Sequence, residues 1–297
     1  MNIYCIGEVL VDTMMDEFPN YEAKFGGAPA NVAYHLGKAD TKTYFIGNIG
    51  NDYLGKYLKG TLETAGINLE YTTFSSKTPL AFVSWDTEGE RDFQFYLPQF
   101  DDYTVPSISL TKQDLVHFGS AIAFMKHDFE KQYLDFFENV TQSDAIISFD
   151  PNYRKDLIED NDHFSSLSKS FIEKSDFIKM SLEELEIIYG IKSLEEIENT
   201  VSLKPNQLLV VTLGEQGSYV LYQNKSSIIP SIEVEQVDST GAGDAFVAAI
   251  LYKLTNEGLF TKDNYEDYVR FANAVGAIAT TQYGAIESVP NLKTFKL

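Results

Sequence analysis

Short apolar runs alternate with helix-compatible segments along most of the chain, and this alternation restricts the fold more than any other feature. IYCIGEVLV, KTYFIGNIG, AIISFD and QLLVVTLG are each predicted to be a strand, because they are short and rich in apolar β-formers. Helical patterns such as DYLGKYLKGTLETAG lie between them. Strands that alternate with helices indicate a mostly parallel sheet covered on both faces. The sequence therefore predicts a three-layer α/β/α fold.

Two regions depart from this alternation. LAFVSWDTEGERDFQFYL is predicted to form two strands around Asp86-Thr87-Glu88-Gly89, with no helix. GSYVLYQ and KSSIIPS indicate an antiparallel edge of the main sheet, ahead of two final helices near 242–256 and 264–282. We predict one domain over residues 1–297, with a small β-sheet lid inserted at about 10–22 and 68–104.

Composition excludes several classes of partner. The 297 residues carry a formal net charge of -21, whereas nucleic-acid binding and docking on an anionic membrane require basic surface. No apolar run approaches the roughly 20 residues that span a bilayer. The only cysteine is Cys5, so no disulfide can form within the chain, and the N-terminus does not resemble a signal peptide. We expect a cytoplasmic protein.

The stretch DSTGAGD, residues 238–244, is the strongest functional motif. Gly241, Ala242 and Gly243 precede a helix-compatible apolar block, and backbone N–H groups at a helix N-terminus can bind an anion. Asp244, at the same place, can act as a base on a hydroxyl group, an arrangement that suits phosphoryl transfer. An ordinary Gly-rich turn before a helix is the structural alternative. A dinucleotide fingerprint is disfavoured, because Phe246 stands where its third glycine should be.

The segment GNDYLGKY, residues 50–57, nearly matches a Walker A phosphate loop. The tyrosine at position 57 cannot replace the Ser or Thr hydroxyl that binds Mg²⁺ there. A turn followed by a helix start is the better interpretation.

Polar groups also follow the predicted strands. FGGAPANVA places Gly26, Gly27 and Asn31 at a helix entry, and Asp12 lies beyond the first strand. In FDPNYRKD, Asp150, Asn152 and Arg154 follow another strand. Ligands on parallel sheets bind outside the carboxyl ends of the strands, although each of these groups also fits an ordinary turn or helix entry. In KMSLEEL, Ser181 and Glu184 predict a capping box.

Together these motifs resemble the PfkB family of carbohydrate kinases, which have the ribokinase-like fold. FGGAPANVA is similar to the family's N-terminal signature and DSTGAGDAF to its C-terminal one, and GNDYLGKY resembles its Gly-x-Asp-x-x-Gly segment. The resemblance covers essentially the whole chain and keeps the order of the motifs. It implies that the hairpin is a lid over a sugar.

The resemblance also implies roles for individual residues. Asp244 would be the general base, and the backbone of Gly241, Ala242 and Gly243 the anion hole. The implied sugar contacts are Asp12, Gly26, Gly27, Asn31, Asn152 and Arg154. The implied nucleotide-binding residues are Lys179, Glu184, Thr212, Gly214, Gly217 and Asn273, with Glu184 also bound to Mg²⁺ through water. The implied monovalent-cation loop consists of Asp238, Thr240, Ala279, Gln282, Gly284 and Ser288.

Two positions depart from the family pattern. Ser239 stands where Thr is commoner, and Ser181 stands where an Asn heads the Asn-x-x-Glu motif. Ser181, FGGAPANVA and DPNYR are similar to the fructokinase-like branch, which implies ATP, Mg²⁺ and K⁺ as cofactors and fructose 6-phosphate as product.

Other readings stay open. Ribose and 2-keto-3-deoxygluconate are alternative substrates. An acidic substrate should bring an additional Arg into the lid, and Arg91 is the only Arg there. A sugar-binding regulator without catalysis is an alternative of another class. The lid aromatics Phe93, Phe95 and Tyr96 predict a homodimer formed through the lid.

Overall fold

The computed structural model of the chain describes residues 1–17, 20–75, 77–85, 91–98 and 103–297, without the side chains of 15–17, 75, 84–85 and 91–93. The predicted turn at 86–89 and the side chains of Arg91 and Phe93 lie outside the described residues. The strands are β1 (Asn2–Ile6), β2 (Leu10–Glu17), β3 (Asn20–Gly26), β4 (Lys42–Gly50), β5 (Thr72–Ser75), β6 (Leu80–Trp85), β7 (Arg91–Tyr96), β8 (Asp114–Phe118), β9 (Ile146–Phe149), β10 (Phe177–Ser181), β11 (Leu208–Thr212), β12 (Ser218–Tyr222) and β13 (Lys225–Ile229). The α-helices are α1 (Ala28–Lys38), α2 (Tyr53–Thr64), α3 (Asp128–Thr141), α4 (Asn161–Lys174), α5 (Leu182–Tyr189), α6 (Ile197–Thr200), α7 (Ala242–Glu257) and α8 (Tyr265–Ala279).

The larger sheet has, among the described residues, nine strands in the order β13-β12-β11-β10-β9-β8-β1-β4-β5. Every pairing from β11 to β5 is parallel, whereas β11–β12 and β12–β13 are antiparallel. This order confirms the predicted mostly parallel α/β fold and its antiparallel edge. Because the inner strands run parallel, their carboxyl ends meet at one edge, where a ligand binds in such folds.

Helices cover both faces of this sheet. Within β11, Leu208 and Val210 belong to the apolar core beneath α1, α7 and α8, whereas Leu209 and Val211 belong to the core beneath α3, α4 and α5. Successive side chains of a strand point to opposite faces, so a continuously apolar strand must be covered on both sides. No helix in the described part of the chain is long and apolar enough to cross a membrane.

A smaller sheet has, in the described residues, four strands in the order β3-β2-β6-β7. The β2–β3 and β6–β7 pairs are antiparallel, and β2 runs parallel to β6. The sheet draws on both segments expected to form the small β element. Strand β5, at 72–75, instead joins the edge of the larger sheet. The division into one domain with an inserted lid stays a prediction.

Three local predictions differ from the structure. The run IYCIGEVLV was predicted as one strand, but β1 ends at Ile6 and β2 begins at Leu10. Gly7 has φ 146°, and a Cβ there would lie 2.6 Å from Ser120 Cβ, so the chain turns where only glycine fits. Helix α4 was not predicted. Helix α8 ends at Ala279 rather than near 282, where the Thr280 and Thr281 hydroxyls donate to carbonyls of the last turn.

Candidate active site

The first turn of α7 forms a glycine-lined opening at the carboxyl edge of the larger sheet. Gly241 caps the helix with φ 74°, and a Cβ there would lie 2.6 Å from Ala285 Cα. Glycine is therefore required both by the backbone angle and by the close approach of the neighbouring loop. The amides of a first helical turn lack partners within the helix and carry partial positive charge, so this opening suits an anion.

Asp244 lies in that first turn and is held by a residue from the opposite end of the chain. Asn31 Nδ2 donates a 2.8 Å hydrogen bond to Asp244 Oδ2. Burial raises the pKa of Asp244 to about 6, with Asp150 adding to the rise, while Asn31, Arg154 and Lys179 oppose it. Since a general base works best when its pKa lies near the operating pH, Asp244 is suited to accept a proton from a hydroxyl group.

Lys179, the central residue of β10, places a positive charge beside the same opening. Its Nζ lies 3.0 Å from Asp150 Oδ2, and a Cβ on Gly243 would lie 3.1 Å from that Nζ. Burial lowers the pKa of Lys179, but Asp150 and Glu184 raise it by more, so the pKa lies above its usual range. The side chain is therefore a permanent cation at the mouth of α7.

Glu184 forms the capping box that its sequence predicts. Ser181 Oγ accepts from Glu184 N, and Glu184 Oε2 accepts from Ser181 N at 2.7 Å. Glu184 Oε1 accepts from Tyr153 N at 2.9 Å. This carboxylate thus fixes the entry of α5 to the turn after β9, and each oxygen keeps a lone pair for a water or a metal ion.

Asp12, Gly26, Gly27 and Asn31 come together where the smaller sheet meets α1. A Cβ on Gly26 would lie 2.3 Å from Asp12 Oδ2. A Cβ on Gly27, which has φ 103°, would lie 2.6 Å from the carbonyl oxygen of Glu8. The two glycines therefore allow the chain to pass close to Asp12 on one side and to the backbone of Glu8, between β1 and β2, on the other.

Asn152 and Arg154 lie in the turn after β9. Asn152 is buried with φ 47°, and its Nδ2 donates to Gly119 O at 3.1 Å. The Arg154 guanidinium donates to Tyr153 O, and its charge opposes the rise in pKa of both Asp244 and Glu8. Arg154 is thus a partly buried cation near the predicted base.

A cavity of about 500 Å³ extends from the N-terminus of α7 to the turn between β11 and β12. Its walls include the predicted nucleotide-binding residues Thr212, Gly214, Gly217 and Asn273, together with Ala242 and Gly243. Asn273 accepts from Ser218 Oγ at 2.6 Å and donates to Ile229 O at 2.9 Å. Its amide therefore holds the cavity wall together through both of its polar atoms.

The predicted cation loop is drawn together around Asp238, which is buried. Asp238 Oδ1 accepts from Thr240 N at 2.9 Å, and Oδ2 accepts from Gly284 N at 2.9 Å. Ser288 Oγ donates to Ala279 O at 2.6 Å. Gln282 is exposed at the surface of this loop. The loop packs directly on Gly241 through Ala285, so it braces the opening of α7.

Sequence reasoning missed three buried groups near these residues. Glu8 accepts from Ser120 Oγ at 2.6 Å, and burial raises its pKa. His35 Nε2 donates to Ala285 O at 3.1 Å, and burial lowers its pKa to about 4. Asp150 was placed in a motif without a role. An acid that follows an apolar run at a strand end was a signal for Glu8 and Asp150, whereas nothing local marked His35.

Comparison with known proteins places this geometry in a family. Residues 1–292 match the pfkB family of carbohydrate kinases. Fructokinase-1 of Zea mays is 34% identical over 305 residues, which cover 97% of this chain and 94% of that protein. A fructokinase structure from Vibrio cholerae O395 with fructose, ADP and a calcium ion aligns with a TM-score of 0.87 at 30% identity, covering 97% of this chain and 96% of the other. A double mutant of that enzyme with fructose, ADP and a potassium ion gives a TM-score of 0.86 at 29% identity, with coverages of 97% and 95%.

The chain therefore belongs to the pfkB family of carbohydrate kinases, as its motifs indicated. It is an ATP-dependent carbohydrate kinase with a mostly parallel α/β sheet and a second, smaller sheet.

Proposed function

We propose that this protein phosphorylates fructose at its 6-hydroxyl group and that Asp244 is the general base. The observation that carries the proposal is a carboxylate with a pKa of about 6 in the first turn of a glycine-capped helix, beside the cavity that suits a nucleotide. Fructokinases are among the relatives at 34% and 30% identity, each aligned over almost the whole chain, and they favour fructose as the acceptor.

The proposed chemistry is a direct displacement at phosphorus. Asp244 takes the proton of the sugar hydroxyl as the new oxygen–phosphorus bond forms. The bond from the γ-phosphorus to the bridging oxygen breaks, and its electron pair leaves with ADP. The amides of Gly241 to Gly243 would stabilise the charge on the transferred group, which is the main catalytic contribution in phosphoryl transfer.

Magnesium would be bound mainly through the ATP phosphates. The described residues contain no group of three acidic, His or Cys side chains that could hold a metal ion by itself. Glu184 is the carboxylate that would reach the ion through water, because its orientation is fixed by two backbone amides. When bound, the ion would neutralise charge on the phosphate oxygens.

Potassium is proposed for the loop around Asp238. Asp238, Thr240, Gly284 and Ser288 are brought together by hydrogen bonds, and the loop touches Gly241. The ion would therefore order the anion hole without contacting substrate. We expect faster turnover in K⁺ than in tetramethylammonium at equal ionic strength. Equal rates in the two salts would contradict this role.

A homodimer through the smaller sheet is proposed on the basis of its exposed aromatic residues. Tyr21 and Tyr96 pack edge-on against Phe82 and are 65% and 54% exposed. Phe95 instead packs against the apolar core of the main domain.

We also propose a cytoplasmic location, in keeping with the free, buried thiol of Cys5.

A substrate panel tests the proposed reaction. Fructose, ribose, 2-keto-3-deoxygluconate and nucleosides are each incubated with ATP, and ADP release is measured beside Asp244→Asn as the control. We expect fructose to give the highest kcat/KM, and a ³¹P NMR spectrum of the product to show a phosphomonoester on the 6-oxygen. A higher kcat/KM for ribose or 2-keto-3-deoxygluconate would replace fructose. If no candidate substrate causes ADP release, the protein would instead be a sugar-binding protein without kinase activity.

A further inference from the structure

Asp150 and Lys179 form a buried ion pair beside the N-terminus of α7. Lys179 Nζ lies 3.0 Å and 3.3 Å from the two carboxylate oxygens of Asp150. Lys179 is 9% exposed and Asp150 is 3% exposed. On its other side, the ammonium group would lie 3.1 Å from a Cβ on Gly243, a residue that lines the nucleotide cavity. The ammonium group of Lys179 thus lies between the Asp150 carboxylate and Gly243 of the proposed anion hole.

This position is unfavourable for a cation unless an acid holds it there. A helix N-terminus repels positive charge and attracts negative charge, and burial removes the ammonium group from water. Asp150 supplies the compensating charge. Its own orientation is fixed, since Oδ1 accepts from Asn152 N at 3.2 Å and its N–H donates to Phe118 O at 2.9 Å.

We propose that Asp150 is a positioning residue that holds Lys179 where the ammonium group contacts the γ-phosphoryl group during transfer. The inference depends on the proposed kinase reaction and adds to it a carboxylate that does not touch the substrate. Before ATP binds, Asp150 is the counter-charge of Lys179. When ATP binds, the phosphate shares that ammonium group, so the cation is already in place and needs no rearrangement.

A double-mutant cycle tests whether Asp150 acts through Lys179. Lys179→Met is expected to lower kcat about 10²–10³-fold, the usual effect of removing one preorganised donor. Asp150→Asn is expected to lower kcat about tenfold alone, yet less than about twofold in the Lys179→Met background, because residues that act as a unit are not additive. Equal factors in both backgrounds would overturn the proposal. Lys126→Met, which breaks an exposed ion pair with Asp160 outside the site, is the matched control and should leave kcat unchanged.

The pH profile gives a readout that a merely structural role would not move. The groups that face Asp244 are Asn31 from α1, Asp150 and Arg154 from the turn after β9, and Lys179 from β10. Asp150 raises the pKa of Asp244 and Lys179 lowers it. Asp150→Asn should therefore move the acid limb of kcat/KM to lower pH, and Lys179→Met should move it to higher pH.

Shifts in the same direction, or none, would contradict the proposed arrangement. If Asp150→Asn fails to fold by circular dichroism, Asp150→Glu replaces it; that variant keeps the charge but displaces it, and should again have no effect in the Lys179→Met background. Failure of the unmutated protein to phosphorylate any sugar would instead refute the proposed function. An active enzyme with additive effects would refute only the role of Asp150.

Discussion

The two sheets of this protein differ in how their functional residues are surrounded. At the edge of the larger sheet, Asp244, Lys179 and Asp150 lie between buried strands and helices, and each is bonded to another residue of the site. The smaller sheet carries Asp12, while Tyr21 and Tyr96 on its strands remain exposed. We propose that the chemistry depends on the residues at the larger sheet and that the smaller sheet contributes mainly to binding the sugar.

Asp244→Asn should give the largest effect and tests the catalytic half of this comparison. The amide keeps the shape of the side chain but cannot accept a proton, so kcat should fall about 10²–10⁴-fold, the usual contribution of general base catalysis. The KM for the sugar should change little. Steady-state kinetics at saturating ATP measure both constants. A kcat that survives would assign Asp244 a structural role only.

Asp12→Ala should give the opposite pattern and tests the smaller sheet. Loss of a hydrogen bond to a charged group, at about 1.5–3 kcal/mol, should raise the sugar KM about 10–150-fold. The kcat should change much less, since the proposed base and the proposed anion hole are untouched. The same assay separates the two constants. A large fall in kcat with an unchanged KM would remove the distinction between the sheets.

The pH dependence of kcat/KM should be set by Asp244, at the larger sheet, and not by residues of the smaller sheet. Because Asp244 must be ionised to act as a base and its pKa lies near 6, kcat/KM should fall as the pH drops below 6. At one pH unit below the pKa, about one tenth of the molecules carry the ionised base, so the rate should be about one tenth of its plateau. Asp12→Ala should keep the same acid limb. An acid limb near pH 4 would show that the pKa of Asp244 is not raised.

Tyr96→Ser should give the smallest catalytic effect. The side chain is 54% exposed, so the free energy of unfolding should change by no more than about 0.5 kcal/mol, as for other surface substitutions. If the smaller sheet forms a dimer, sedimentation velocity should detect a shift toward monomer. A dimer that persists after Tyr21→Ser and Tyr96→Ser are combined would place the interface elsewhere.

The sequence predicted what depends on local pattern. The apolar alternation predicted the parallel sheet, and the Gly-Ala-Gly-Asp stretch predicted a glycine-capped helix start with Asp244 in its first turn. The capping box of Ser181 and Glu184 was likewise readable, because both partners lie three residues apart. These features need no knowledge of distant residues.

Features that depend on tertiary contacts were not predictable. The Lys179–Asp150 pair joins residues 29 positions apart, and the contact of His35 with Ala285 O joins residues 250 positions apart. The break at Gly7 is set by the proximity of Ser120 rather than by neighbouring sequence. Helix α4 was missed because its Ser-rich sequence has weak helix propensity, although Asp160 caps it through His163 N.

The Asn31–Asp244 hydrogen bond has a consequence for how the molecule matures. It joins positions 213 residues apart, and contacts between such remote segments are slow to form because so much chain entropy must be lost first. During synthesis on the ribosome, Asp244, the proposed base, is added to the chain long after its partner Asn31. During refolding, kinase activity should accordingly return late, after the circular dichroism signal of the helices has recovered.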